Sequence, residues 1–268
     1  MSRAERLLLI DAGNTRVKWA VWTTSTRAWS QYGAAETRAV AEGSGAAPGL
    51  APMFASVGEV VVSNVAGAEV ETALLSMAGS VPMRMARSTA SCSGVQNQYD
   101  HPAQLGTDRF AAMIGANAII DLTGRAKLVV VAGTAVTIDA LTADGVFLGG
   151  AILPGPDMMR RALHRETSQL PLSEANATLA VFARSTNEGI AAGLSDAVAG
   201  AVMVAAQRLA RQSTPQDDVC LVVSGGAAAW LVAALASCAP SLAATLTMRE
   251  HLVLDGLRLI AATRPFPD

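Results

Sequence analysis

Asp11-Ala12-Gly13-Asn14-Thr15 closes a short apolar run, Leu7 to Ile10, and Lys18 comes three residues later. Gly13 lets the chain bend with no Cβ in the way. Such a turn between two strands can aim several N–H groups, with the Asn14 and Thr15 side chains, at phosphate oxygens. Asp11 at the strand end suits Mg²⁺ held largely through water, because that ion keeps much of its hydration shell. Lys18 adds a point charge nearby. Asn and Gly also favour plain turns, so these residues alone fit an ordinary hairpin equally well. The P-loop pattern GxxxxGK[ST] does not occur in the chain.

Two further turns repeat the theme. Gly133-Thr134-Ala135-Val136-Thr137 follows the apolar run Leu128 to Val131, with Asp139 close behind. Ser224-Gly225-Gly226-Ala227 separates a strand from a helix, where adjacent glycines let a base or ribose approach the backbone and the helix start favours anions. Each alone also reads as a packing turn. A fourth segment, Tyr99 to Arg109 (YDHPAQLGTDR), is a polar loop running into a helix start, with Gly106 for close approach and Asp108 near the cap position. Taken alone it leaves Asp108 as a helix cap and Arg109 as a surface ion-pair partner.

These residues need a scaffold of alternating strands and helices. Val17, Trp19 and Val21 alternate with Arg16, Lys18 and Ala20, the period of a strand hairpinned to Leu7–Ile10. The Ala- and Gly-rich stretch 34–52 reads as a frayed helix and loop, Glu59 to Val65 as a buried strand, and Val70 to Met77 as a helix. Arg109 to Ile120 has helical periodicity. A second cycle starts at Lys127, with a hairpin turn at Asp144-Gly145. Helices follow at Asp157 to His164, Asn187 to Gln212, Ala227 to Leu235 and Leu252 to Thr263, with a strand at Val219 to Val223. The mixture predicts an α/β fold of two halves alike in plan, 1–122 and 123–268, meeting near Asp121 to Arg125.

Composition narrows the function. Half of the 268 residues are hydrophobic and 16% are charged, an ordinary globular balance. A formal net charge of −2 argues against nucleic acid as the main partner. Only Lys18 and Lys127 are lysines among twenty Lys plus Arg, so a Lys beside a phosphate turn is informative. Three widely spaced cysteines without a CxxC pair suit a reducing cytosol, and neither a signal peptide nor a membrane span is expected. Trp19, Trp22 and Trp29 read as core or subunit-surface residues, since no basic stripe accompanies them.

Taken together, the three turns resemble the phosphate-1, phosphate-2 and adenosine loops of the acetate and sugar kinase/Hsp70/actin superfamily, with its two ribonuclease H-like, actin-like halves. The resemblance sharpens to the type III pantothenate kinases, a family that includes proteins named Bvg accessory factors. That family carries D-x-G-N-[ST], then a Tyr, a Pro and L-G-x-D-R, then G-T-A-x-T-x-D and G-G-x-I-x-P-G. Here these stand in order as Asp11 to Thr15; Tyr99, Pro102 and Leu105 to Arg109; Gly133 to Asp139; and Gly149 to Gly155.

The resemblance implies ATP-dependent phosphorylation of pantothenate, the first step towards coenzyme A. It makes Asp108 the general base. It gives ATP to Asp11, Ala12, Gly13, Asn14, Thr15, Arg16, Val17, Lys18 and Thr134. Pantothenate goes to Tyr99, Gly106, Thr107, Asp108 and Arg109, with Thr186 as a later substrate threonine. It also implies Mg²⁺ with ATP, at Asp11 through water, and a cytoplasmic homodimer joined across the long helix after Asn187. A monovalent cation, K⁺ or NH₄⁺, is implied too, bound in part by an Asp two residues before the second Gly-Thr. Val131 stands there, so that cation site is expected to be weak or differently built. Two other functions compete: a kinase or phosphatase of the superfamily acting on another small molecule, and a regulatory binding protein of the Bvg accessory factor type.

Overall fold

The computed structural model describes residues 2–43, 45, 47–173, 182–212 and 219–263. Its contacts divide the chain into two compact units.

The first unit opens with three antiparallel strands, β1 (Arg6–Ala12), β2 (Arg16–Thr23) and β3 (Ala28–Glu36). Two short helices follow, α1 (Thr37–Ala41) and α2 (Ala51–Phe54). Strand β4 (Glu59–Asn64) then returns parallel to β1, and helix α3 (Ala68–Ala78) leads to β5 (Met83–Met85), parallel to β4. The sheet order is β3-β2-β1-β4-β5. Strand alternation sends Leu8, Ile10, Val17, Trp19, Val60 and Val62 to one face, where Leu50, Phe54, Val70 and Leu74 complete a core. A small hairpin, β6 (Ser91–Cys92) with β7 (Val95–Asn97), precedes helix α4 (Thr107–Asn117). The opposite face of the sheet is covered by α4 and by the C-terminal helix, Leu252–Ala262.

The second unit repeats the plan. Strands β8 (Lys127–Ala132), β9 (Ala135–Leu141) and β10 (Val146–Pro154) are antiparallel. Helices α5 (Pro156–Glu166) and α6 (Thr186–Ala210) lead to β11 (Cys220–Ser224), parallel to β8. Helices α7 (Ala228–Cys238) and α8 (Pro240–Ala243) lead to β12 (Leu246–Met248), parallel to β11. Within this unit the order β10-β9-β8-β11-β12 matches β3-β2-β1-β4-β5 strand for strand. Helix α6 is long and apolar enough, by length and composition, to cross a membrane. Here it buries Val198, Ala199, Val202, Ala206 and Leu209 in the core formed with β8, β9, β11 and α7.

Two sequence expectations need correction. Residues 34–36 continue β3 rather than starting a helix, because Ala34 and Ala35 pair with Lys18 and Val17 on β2. The strand was hidden by small residues, which pack against the neighbouring indole: a Cβ on Gly33 would meet the Trp19 ring at 2.3 Å. The division at 122/123 with everything after it in one half also changes. The switch falls after Ala118, and the chain returns to the first unit at Leu252. The reason is packing: Gly256 and Leu252 of the C-terminal helix lie against Ala111 and Gly115 of α4. The expected hairpin at Asp144-Gly145 is present, with Thr142 N–H donating to Val146 O at 2.9 Å. Trp19 is a core residue. Trp22 stacks edge-on with Trp29 at 5.0 Å and lies under the Arg258 guanidinium at 4.7 Å.

Candidate active site

The first unit gathers most of the residues singled out in the sequence. Asp11 sits near the end of β1, opposite Lys18 on β2 and opposite Ser63 on β4. The turn beyond it is closed by Gly13 N–H donating to Arg16 O at 3.1 Å. It is braced from α1: Thr37 Oγ1 donates to Gly13 O at 2.6 Å, and Thr37 N–H donates to Thr15 O at 3.0 Å. Asn14, Thr15 and Arg16 are exposed, as a phosphate-facing turn requires, and Lys18 is half-buried. Ala12 and Val17 are fully buried, so their side chains anchor the turn and only their backbone can face a ligand.

Asp108 is the second residue of α4, and Gly106 is the cap. The N-cap alternative for Asp108 therefore falls. Its Oδ1 accepts the Arg109 N–H at 2.8 Å, and a Cβ on Gly106 would lie 2.6 Å from that same oxygen. Glycine is what lets the carboxylate fold back over the helix start. Arg109 is 6% exposed, so it is not a surface ion-pair residue. Its Nη1 donates to Tyr99 Oη at 2.9 Å, and the guanidinium lies 5.8 Å from the centre of that ring. The Tyr99 loop is pinned by buried Asn97, whose Oδ1 accepts the Tyr99 N–H while its Nδ2 donates to Thr89 O and Pro102 O.

The two carboxylates feel each other. Removal from water is the main effect raising Asp11, the charge of Asp108 adds to it, and Lys18 offsets part; the result is about 7. Burial also raises Asp108, against the lowering effect of the Arg109 N–H and of the Arg109 charge. Paired acids of this kind are a mark of functional sites more than of structural ion pairs.

Thr134 and Thr186 belong to the second unit. Thr134 stands in a tight turn where Gly133 N–H donates to Ala135 O at 2.9 Å and Gly155 N–H donates to Thr134 O at 2.8 Å. Thr186 is the exposed first residue of α6, capped by Ser185, whose Oγ accepts the Glu188 N–H at 3.3 Å. In the Ser224-Gly225-Gly226 turn, Gly225 has φ +102° and Ala227 N–H donates to Ala132 O at 2.9 Å. Val131 is flanked in register by Thr137 on β9 and Ser224 on β11. Thr137 Oγ1 is buried without a hydrogen-bond partner among the described residues.

Sequence reasoning missed Ser63, Thr37 and Asn97. The one local signal is a polar residue inside an apolar strand run, Ser63 in EVVVSN. Thr37 and Asn97 act through contacts that only the fold creates.

The family model for type III pantothenate kinase matches residues 7–208 of this chain. A type III pantothenate kinase of Azoarcus sp. (strain BH72) is 43% identical over 269 residues, covering 96% of this chain and 90% of that protein. Among solved structures, a Sinorhizobium meliloti protein described as a 2-dehydro-3-deoxygalactonokinase superposes with a TM-score of 0.60 at 16% identity, covering 97% and 99% of the two chains. A Campylobacter jejuni protein described as a Baf family transcriptional activator superposes with a TM-score of 0.57 at 18% identity, covering 95% and 97%. At those identities the structural likeness shows the fold, an α/β fold shared with sugar kinases.

Proposed function

The chain belongs to the type III pantothenate kinase family, and from that premise we propose how its parts divide the work. It is a kinase that transfers the terminal phosphoryl group of ATP to pantothenate, giving 4′-phosphopantothenate, the first step of coenzyme A biosynthesis. The observation that carries the assignment of roles is the pair Asp11 and Asp108, two mutually repelling carboxylates beside an exposed, braced turn.

Phosphoryl transfer asks a protein mainly for positioning and charge stabilisation. Asp108 accepts the proton of the attacking hydroxyl as the bond to phosphorus forms, and burial that raises its carboxyl makes it a stronger base. Arg109, already aligned by Tyr99, pairs with the substrate carboxylate. Tyr99, the Gly106 to Arg109 segment and Thr186 hold pantothenate. The turn from Asp11 to Lys18 and Thr134 hold ATP, with Ala12 and Val17 contributing backbone only. Kinases of this kind use ATP with a divalent ion. The donor set here fits one, because a hard cation relieves two crowded carboxylates. Asp11 would hold Mg²⁺ largely through water; when bound, the ion offsets charge on the phosphates.

The residues do not fit a carboxylate-built monovalent site. Val131 presents an aliphatic side chain between two hydroxyl residues, Thr137 and Ser224, and no step is assigned to K⁺ or NH₄⁺. The chain is proposed to act in the cytoplasm as a homodimer. Supporting the dimer, helical periodicity sets Gly193, Ala197, Gly200 and exposed Val204 along one line of α6, opposite buried Val198, Ala199, Val202, Ala206 and Leu209. Sedimentation of the purified chain checks this, and a monomer at all concentrations removes it.

The deciding assay measures ADP release with ATP, Mg²⁺ and a panel of hydroxy acids and sugars. Release with pantothenate is expected, and Asp108→Asn should lower kcat by about 10²–10⁴-fold while ATP binding persists. No release from the folded protein overturns the reading. Full turnover in Asp108→Asn removes Asp108 from the role of base.

A further inference from the structure

Strand β4 reads Glu-Val-Val-Val-Ser-Asn, and its Ser63 is completely buried. It sets a hydroxyl at the end of a buried apolar run, Val60 to Val62. A buried hydroxyl without a partner is costly, so where one occurs its partner is informative. The partner of Ser63 is Thr107: Oγ and Oγ1 lie 2.8 Å apart.

Both ends of that contact matter. Across the parallel β1–β4 pair, the Cα partner of Ser63 is Asp11. Thr107 is the first residue of α4, and Asp108 is the next. One hydroxyl pair therefore ties the strand position beside the first carboxylate to the helix start that carries the second. The Arg109–Tyr99 hydrogen bond also holds the start of α4, and the Ser63–Thr107 contact adds a tie to the sheet. The cap of α4 is Gly106, which makes no side-chain cap bond and has no room for a side chain, because a Cβ there would strike Asp108 Oδ1.

We propose that Ser63 and Thr107 are positioning residues that fix the helix start, and with it Asp108, relative to Asp11. The Thr107 hydroxyl then serves the protein's own geometry, so within the Gly106 to Arg109 segment Thr107 offers pantothenate its backbone alone, and the side-chain grip falls to Tyr99 and Arg109. The inference rests on the phosphotransfer reading above, and it predicts an effect on the chemical step more than on binding. A displacement of the base by about 1 Å is enough to cost up to ~10²-fold in rate.

The test is steady-state kinetics on the full-length chain, with thermal melts of every variant to confirm folding. Ser63→Ala should lower kcat on the order of 10-fold, with KM for both ATP and pantothenate changed by less than about two-fold. Thr107→Val should match it, and Thr107→Ser, which keeps the hydroxyl, should recover most of the wild-type kcat. The double variant Ser63→Ala/Thr107→Val should be no slower than the slower single, because both remove one shared interaction. Should Ser63→Ala fail to fold, the Thr107→Val and Thr107→Ser pair decides the matter from the half-buried side of the contact. Unchanged kcat in Ser63→Ala overturns the proposal. So does a rise confined to the pantothenate KM in Thr107→Val, which makes Thr107 a substrate ligand. A wild-type chain that releases no ADP with pantothenate takes down the phosphotransfer reading and this inference with it. A working wild type with indifferent variants takes down the inference alone.

Discussion

Asp11 illustrates how a residue placed for chemistry strains the resting protein. Its carboxyl is raised to about 7 in the fold, against an ordinary value of 3.8. Over the interval between those values the folded chain binds more protons than the unfolded one. The stabilising contribution of the protonated form is therefore complete below pH 3.8 and is lost as pH rises towards about 7. Asp11→Asn removes that loss. Its ligand-free melting temperature should exceed the wild type's by an amount that is near zero at pH 4 and grows to a plateau above neutrality. The plateau should be on the order of 10 °C in a chain of this size, since a rise from 3.8 to about 7 corresponds to about 4 kcal/mol. Turnover should fall in the same variant; equal pH profiles for the two melts would count against the crowding of Asp11. At this scale the chemistry-bearing residues were legible, because Asp, Gly, Asn, Lys and Arg at turn and helix-start positions announce themselves by type. Ser63, Thr37 and Asn97 were not. Their roles are defined by partners 44, 24 and 8 residues away at the farthest named contact of each, which no local pattern encodes.

At the scale of elements, the second unit's hairpin carries a substitution with a measurable consequence. Val131 on β8 has Thr137 and Ser224 as its register neighbours on β9 and β11, and the Thr137 hydroxyl lacks a partner among the described residues. Turnover of the wild type should be flat when K⁺ replaces choline at constant ionic strength. Val131→Asp sets a carboxylate beside two hydroxyls, a hard-oxygen site, and its melting temperature should rise with K⁺ where the wild type's does not. A saturable K⁺ response in the wild type would contradict the reading of Val131. The strands and long helices were mostly legible from apolar runs and periodicity. Strand β3 was the exception: Gly33, Ala34 and Ala35 carry no β-branched signal, and pairing with β2 decides their state in spite of weak propensity.

At the scale of the whole molecule, the duplication of strand order was foreseen only as a likeness of plan. No residue-level repeat relates the halves, because each needs only the same alternation of buried strands, and many sequences satisfy that. The exit of the chain from the second unit was misplaced for a related reason. Leu252 to Thr263 looks like any amphipathic helix, and nothing in its pattern says which core it joins. The contact that decides it is Gly256, where a Cβ would come within 1.8 Å of Ala111 O on α4. Gly256→Ala must push the two helices apart and should cost about 3 kcal/mol. A urea unfolding midpoint equal to the wild type's would show that the crossing tolerates the methyl group.

That helix also sets an order of events during synthesis. The ribosome completes the whole second unit, Ile119–His251, before it makes the segment that covers α4. Domains generally fold as they emerge, the N-terminal one first. Here the first unit emerges early yet lacks one of the two helices on its second face until the segment beyond His251 appears. The side of the sheet beneath the Asp108 helix thus stays unsealed until the whole second unit has been made. A nascent or prematurely terminated chain can carry every motif of the kinase and still lack its finished active site.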